Sequence, residues 1–251
     1  MKKITIIIAL VFGIALSSSA NDSIASNRNG MEYKVAAGFN IGGTSPIGLP
    51  AEVRGINSYK PTPNLSIAGY AIKMFNPTWG LKAGLRFENK GMETGINVKN
   101  YKMTVNIQSG DATGVKTGYF TGDIKNKTRM GYLTIPVSAV YRLNKQWDFH
   151  AGIYAAYALD YNFTGKVVQG QIRETPLTPI IGITKADYNY SDDLQKWDVG
   201  AEIGAACNVY RNLAIEANFT WGFISVLDPD KRKMDMDNYN LYLNLGVSYT
   251  F

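Results

Sequence analysis

The chain has 251 residues, 45% hydrophobic and 18% charged, with 26 Lys and Arg against 20 Asp and Glu for a net charge of +6. That is about one domain's worth of chain, and its basic residues are scattered through several segments, which excludes the clustered footprint of a nucleic-acid binder. Its single cysteine, Cys207, excludes an internal disulfide framework and reads as a small apolar residue.

Met1, Lys2 and Lys3 form a positive start, Ile4 to Leu16 an apolar run, and Ser18-Ser19-Ala20 a small-residue exit, so residues 1–20 read as a secretory signal peptide. The apolar run is shorter than the roughly 18 to 20 residues of a spanning helix. No cysteine stands beside the expected cleavage site, which excludes a lipid anchor. Removal of Lys2 and Lys3 leaves 24 basic against 20 acidic residues, a mild +4. The polar stretch Asn21 to Glu32 then reads as a mobile tether.

From Tyr33 onward, eight segments alternate apolar with polar or small residues, the period of a strand whose faces meet different surroundings. The first, Tyr33 to Thr44, sets Val35, Ala37, Phe39 and Ile41 against Lys34, Gly38 and Asn40. Pro46 to Pro63 reads as a loop. The second strand, Leu65 to Phe75, is the least regular and is read with Ala68, Tyr70, Ile72 and Met74 outward, before the tight turn Asn76-Pro77-Thr78. The third, Trp79 to Lys90, opposes Trp79, Leu81, Ala83, Leu85 and Phe87 to Lys82, Arg86, Glu88 and Lys90.

A polar excursion from Gly91 to Thr128 follows. Within it Tyr101, Met103, Val105 and Ile107 alternate with Lys102, Thr104, Asn106 and Gln108 before a Ser109-Gly110-Asp111 turn signal, which predicts a hairpin that prolongs two strands. The fourth strand, Arg129 to Leu143, points Leu133, Ile135, Val137, Ala139 and Tyr141 one way and Thr134, Ser138 and Arg142 the other, with Pro136 predicting a local bulge. The fifth, Trp147 to Phe163, opposes Phe149, Ala151, Ile153, Ala155, Tyr157, Leu159 and Tyr161 to Asp148, His150, Gly152 and Asp160, and a second long loop runs from Thr164 to Lys196. The sixth, Trp197 to Tyr210, carries Val199, Ala201, Ile203, Ala205, Cys207 and Val209 opposite Asp198, Gly200, Glu202, Gly204 and Asn208. The seventh, Leu213 to Phe223, carries Leu213, Ile215, Ala217, Phe219, Trp221 and Phe223 opposite Glu216, Asn218 and Thr220. After a charged loop from Asp228 to Asp237, the eighth, Asn238 to Phe251, is apolar at every odd position, with Tyr242 the ambiguous even one.

The faces read as outer carry no Asp, Glu, Lys or Arg. A soluble barrel has the reverse arrangement, with charge on its wet exterior, so the expected fold is all-β: an eight-stranded antiparallel transmembrane β-barrel over residues 33–251, with Cys207 facing lipid. Short joints follow strands two, four and six and long ones follow the others, the outer-membrane pattern of short periplasmic turns and long extracellular loops. Aromatics near strand ends suit the girdles at the two membrane interfaces: Phe75, Trp79, Tyr141, Trp147, Tyr210 and Phe251 at one, Phe87, Tyr161, Phe163, Trp197, Phe223 and Tyr239 at the other, with Trp221 and Tyr249 also read as interface aromatics. Gly131-Tyr132-Leu133-Thr134-Ile135-Pro136-Val137 resembles the Tyr-Leu-x-Ile-Pro stretch of the PorT-like family of small outer-membrane barrels of bacteroidete-type bacteria, as does the aromatic carboxy end. The resemblance implies fold and location, and through the family name a role in secretion or assembly.

Inward charges are Lys82, Arg86, Glu88, Arg142, Glu202 and Glu216. In a lumen only wide enough for side chains they form either a paired plug, the favoured reading, or the selectivity ring of a narrow channel. The sole histidine, His150, reads as a satisfied lumenal side chain and not as a catalytic base, and no Ser/His/Asp or metal-ligand constellation is visible. Asp228, Asp230, Asp235 and Asp237 lack the glycine-centred spacing of a calcium loop and are interrupted by Lys231, Arg232 and Lys233, which favours a solvated loop. Lys99, Lys102, Lys116, Lys125, Lys127 and Arg129 make the excursion basic: a solvated hairpin, or a contact for lipopolysaccharide phosphates. The expected role is that of a barrel anchoring surface loops for binding or envelope integrity, without cofactor or catalysis. Its expected partners are outer-membrane lipid, lipopolysaccharide, a surface ligand and, through the last strand, the barrel-assembly machinery.

Overall fold

The computed structural model describes residues 31–46, 51–109, 112–175, 181–183, 186–231 and 237–251. The expected signal peptide and the tether as far as Gly30 lie outside them. Eleven strands follow in order: β1 Met31–Pro46, β2 Val53–Pro61, β3 Leu65–Met74, β4 Trp79–Ser109, β5 Ala112–Arg142, β6 Trp147–Arg173, β7 Ile181–Ile183, β8 Ala186–Asn189, β9 Trp197–Tyr210, β10 Leu213–Gly222 and β11 Asn238–Thr250, with a one-turn 3-10 helix at Ser191–Asp193.

Eight of them close a ring in the order β4, β3, β1, β11, β10, β9, β6, β5 and back to β4, every pair antiparallel. The seam is long: β1 and β11 run in register from Lys34↔Thr250 to Pro46↔Asn238. Closure leaves no bare edge within the bilayer, where an unpaired backbone group has no water to turn to. The tight turns at the periplasmic end repeat one device. The side-chain oxygen of Asn76 accepts from the backbone N–H of Thr78 and Trp79 at 2.9 and 2.7 Å, and that of Asn144 accepts from Gln146 and Trp147 at 2.8 and 2.9 Å.

The outward side chains are apolar and exposed: Leu81, Leu85, Ile135, Ile153, Ile203, Ile215, Phe219 and Val247 are each 40% or more accessible. Beyond the bilayer β4, β5 and β6 keep climbing. β4 and β5 stay paired, with one shift of register, as far as Ser109↔Ala112, the turn signal at Gly110 and Asp111 lying outside the described residues. β2 pairs with β4 over residues 92–98, and β8 bridges β6 and the upper part of β4, so β4, β5, β6 and β8 close a second, smaller ring. This collar has an apolar interior built from Val98, Tyr101, Met103, Val105, Phe120, Ile124, Phe163, Val167 and Tyr188. The inside of the wall is therefore polar within the membrane and apolar above it, as the change of outer solvent from hydrocarbon to water requires.

Bulges set the phase. Between Val98 and Tyr101 the register with β5 shifts, with Asn100 at a left-handed φ of 54°, and the inward set changes from even residues (Ile96, Val98) to odd ones (Tyr101, Met103, Val105). A second shift, between Gly131 and Tyr132, leaves Leu159 of β6 unopposed, so that Asp160 is exposed and Phe163 points into the collar.

Several expectations are corrected. β3 is turned the other way from the reading given above: Ala68, Tyr70 and Ile72 are buried in the lumen, and Leu65, Ile67, Gly69, Ala71 and Lys73 face out. Lys73 thus breaks the charge-free outer face, at the periplasmic rim where a lysine can reach headgroup and water. The stretch read as a loop before Pro63 contains β2, and that after Thr164 contains the end of β6 together with β7 and β8. Asp160 does not point inward, and Phe163 belongs to the collar core instead of an interfacial girdle. Pro136 produces no bulge; the pairing of β5 with β4 lapses between Ala83↔Val137 and Arg86↔Thr134 without a change of register, the effect of a residue with no N–H to donate.

Ile203, near the middle of β9 and 61% exposed, tests the facing directly. Ile203→Arg is expected to lower folding stability in lipid vesicles by about 2 to 4 kcal/mol, read from the shift of the denaturant midpoint, because it sets a charge against mid-bilayer hydrocarbon.

Candidate functional site

The polar interior of the barrel is arranged in tiers. At the periplasmic mouth Arg142 grips Glu32 with both terminal nitrogens, at 3.0 and 2.9 Å, and donates from Nε to Asp148 at 3.0 Å. One tier up, Lys34 donates to Glu216 at 2.9 Å, and Ser248 donates to the same carboxylate at 2.8 Å. At mid-height Arg86 reaches across from β4 to Glu202 on β9 at 3.1 Å. Glu202 also accepts from Ser138 at 2.7 Å and has Lys82 at 3.8 Å, whose ammonium lies over the Tyr70 ring. Glu88 lies 3.2 Å from Arg86 and accepts from Thr134 at 2.8 Å and Asn40 at 3.0 Å; Asn244 links Asn40 and Ser66.

The top tier is a lysine in an aromatic cage. The Lys90 ammonium is buried, 3.7 Å from both Glu88 and Asp198 and 4.9 to 5.7 Å from the ring centroids of Tyr154, Tyr132 and Tyr242. Asp198 in turn accepts from Tyr154 at 3.1 Å and Asn240 at 2.9 Å. Each cation–ring contact in such a desolvated setting is worth about 0.5 to 2 kcal/mol, and the two carboxylates supply the counter-charge that a buried ammonium needs. Packing around the tiers is close: beside Arg86 and Asn218 the lumen keeps a void of about 10 Å³, no more than the space of roughly one water.

Of the inward charges singled out in the sequence, Lys82, Arg86, Glu88 and Glu202 meet in one cluster, Glu216 lies one tier below with Lys34, and Arg142 stands apart at the mouth. Lys34, Lys90 and Asp198 were not counted among them, although the period of two places all three inward. The three tyrosines of the cage carry no charge signal, and of them the alternation marks only Tyr242, as the ambiguous even position of the last strand. Trp79 packs edge-on against Tyr141 at 5.0 Å, Tyr157 against Trp197 at 4.9 Å and Tyr249 against Phe251 at 5.1 Å. Trp147 stacks on Phe149, and Trp221 meets Phe223 edge-on. Tyr161 lies partly buried against the collar core with Lys196 over its ring. His150 is buried in the lumen opposite Val140 and Gly204, its Nε2 without a hydrogen-bond partner. Among the described residues no three His, Cys, Asp or Glu side chains come together as a metal site.

The collar carries charge on its outside. Lys125, Lys127 and Arg129 form an exposed column on β5, with Lys166 of β6 directly opposite Lys125. Lys127 donates to Glu93 at 2.6 Å and holds that carboxyl below the usual range. Within the collar, burial pushes the Tyr188 hydroxyl well above its ordinary pKa and that of Tyr190 up to about 12. In the last loop Lys231 pairs with Asp228 at 3.1 Å and lowers its pKa; Asp235 lies outside the described residues.

A closed antiparallel ring with hydrocarbon-facing side chains outside and paired ions within defines an integral outer-membrane β-barrel. The family model described as "Outer membrane protein beta-barrel domain" matches residues 19–228, and the chain belongs to that family. No curated protein matches the chain. Solved structures similar to it include Ail, the attachment invasion locus protein of Yersinia pestis, in complex with the heparin analogue sucrose octasulfate. That chain is 13% identical, with 88% of this chain and 97% of that one covered and a TM-score of 0.37. A major outer membrane protein from Thermus thermophilus is 14% identical (88% and 99% covered, TM-score 0.36), and OprG from Pseudomonas aeruginosa is 11% identical (89% and 97% covered, TM-score 0.32). No functional conclusion attaches to likeness at this level.

Removing the caged cation leaves the buried Asp198 carboxylate without an ionic partner, whereas Glu88 keeps Arg86. Lys90→Met is expected to cost about 3 to 5 kcal/mol, and Lys90→Met combined with Asp198→Asn to recover most of it, since charge and counter-charge then leave together. Urea titration of vesicle-inserted protein reads both.

Proposed function

We propose that the protein is a non-conducting, non-catalytic anchor that holds a rigid binding head above the outer membrane. The observation that carries this reading is the lumen: ion pairs, hydrogen bonds and a caged lysine occupy it from the periplasmic mouth to the collar, and the collar's apolar core sits above them. A pore needs exchangeable water along its axis. Here the charged side chains pair with one another across the lumen. Above the membrane the upper parts of β4, β5 and β6 pair with one another and with β2, β7 and β8, which suits a surface that presents one fixed shape to a ligand.

The column of Lys125, Lys127, Arg129 and Lys166 stands at the level where β5 leaves the lipid-facing band, a position suited to lipopolysaccharide phosphates, with about 1 kcal/mol gained for each basic residue near an anionic surface. The Tyr132-Leu133-Thr134-Ile135-Pro136 stretch supports a PorT-like affiliation, and with it a second reading as a membrane subunit of a secretion or assembly complex. Residues 1–20 then serve as the cleaved export signal.

Two measurements test the first reading. Purified monomer in a planar bilayer is expected to show no steady conductance, and Arg86→Ala with Glu202→Ala to introduce fluctuating openings; sustained current through the wild-type protein refutes the plug. Replacing Lys125, Lys127 and Arg129 by Ala is expected to weaken binding of lipopolysaccharide micelles and to flatten its salt dependence, while unchanged binding removes the column from the site.

A further inference from the structure

β3 begins at Leu65, so above the pair Phe39↔Leu65 the edge of β1 loses its neighbour on that side. β4, released by β3 above Ser66↔Glu88, takes up β2 instead, starting at Met92↔Pro61. The wall thus parts between the upper end of β1 and the β2–β4 pair. Asn64 closes the bottom of the parting, its side-chain amide donating to the Gly91 carbonyl at 2.8 Å and to that of Asn40 at 3.4 Å, and the Tyr59 hydroxyl spans it by donating to the Gly42 carbonyl.

The parting encloses a cavity of about 310 Å³, within the range of small-molecule sites at its lower end. Its lining mixes the two sides of the wall. Leu241 and Gly43 belong to the lipid-facing phase of their strands, whereas Thr128 and Phe163 belong to the inward phase, so the cavity reaches from the upper rim of the apolar band into the base of the collar. Two of its lining residues are glycines at close approaches. Gly42 has a φ of 152°, and a Cβ on it would come within 2.2 Å of the Leu241 carbonyl oxygen; a Cβ on Gly43 would meet the Met92 sulfur at 2.5 Å.

The chemistry of the walls specifies the occupant. Ile56, Met92, Ile96, Phe163 and Leu241 supply an apolar lining for a chain, and the polar groups among the lining residues are all neutral. Of these, Thr128 is 2% exposed and its hydroxyl has no hydrogen-bond partner. Among the described residues no Lys, Arg, Asp or Glu lines the space. A phosphate or carboxylate head would therefore be buried without a counter-charge, the arrangement that transfer energies most strongly oppose, which sets phospholipid and lipopolysaccharide aside. We propose that this lateral cavity is a binding site for an uncharged single-chain amphiphile, its hydroxyl or amide head meeting Thr128 and its alkyl chain lying along Met92, Ile96 and Phe163. The site does not depend on whether the lumen conducts.

The test uses the mature chain in lipid nanodiscs and a dodecanol carrying a mid-chain diazirine. After irradiation, peptide mapping is expected to place the label on the strand segments around Met92, Ile96 and Phe163. Excess unlabelled dodecanol should compete, and dodecyl phosphate should compete at least about tenfold more weakly because its charge finds no partner. Ile56→Trp, at a half-open position of the wall, and separately Thr94→Trp are each expected to abolish that labelling while heat-dependent electrophoretic mobility shows the barrel folded. Labelling spread along the lipid-facing band and indifferent to both variants overturns the site, and equal competition by dodecyl phosphate overturns the neutral head.

Discussion

The structure depends on a shortage of room. Eight strands enclose a space that side chains alone can fill, so an inward polar group cannot be left to bulk water and must find its partner on another strand. The pairs that result are also cross-braces. Arg86 ties β4 to β9 through Glu202, Lys34 ties β1 to β10 through Glu216, and Lys90 ties β4 to β9 through Asp198. A wall held by backbone ladders around its circumference is thereby also held by ties between strands that are not neighbours, through contacts whose partners would be costly to leave alone in a low-dielectric interior.

The same shortage governs what lies above the bilayer. Once β4, β5 and β6 leave hydrocarbon, the outside of the wall meets water and the hydrophobic effect acts inward. The strands do not end there. They continue with their polarity exchanged, and Val98, Met103, Phe120 and Ile124 fill the middle while Lys125 and Lys127 turn outward. Bulges at Asn100 and Leu159 adjust which residues point in, so the change of solvent is matched by a change of phase on two of the three strands.

The eight spanning strands were legible because alternation between oil and polar lumen leaves a period of two that few other arrangements produce. β3 was misread for an understandable physical reason: its lumenal side carries Ala68, Tyr70 and Ile72, with Tyr70 lying beneath the Lys82 ammonium, and its outer side carries Gly69, Ala71 and Lys73. Neither face is distinctly oily. The collar hairpin was legible as strand, but periodicity alone does not say which side is inside once the surrounding solvent changes. β2 was hidden because Val53–Pro61 is a mostly exposed edge strand flanked by prolines, with little alternation to show. Among the buried charges, Arg86, Glu88 and Glu202 stood out by type, whereas the cage around Lys90 draws its tyrosines from β5, β6 and β11, and no sequence separation signals that they converge.

The collar's core has a consequence for biogenesis. Besides β4, β5 and β6 it contains Leu194, from the segment leading into β9, and Val226 and Leu227, from the segment between β10 and β11. Leu194 and Leu227 meet in an isolated β-bridge, so the core draws on the chain as far as the segment before β11. The head is therefore not a local fold of the β4–β5 hairpin: its core is complete only with residues that follow β8 and β10, so truncation of the chain after β10 removes part of its packing.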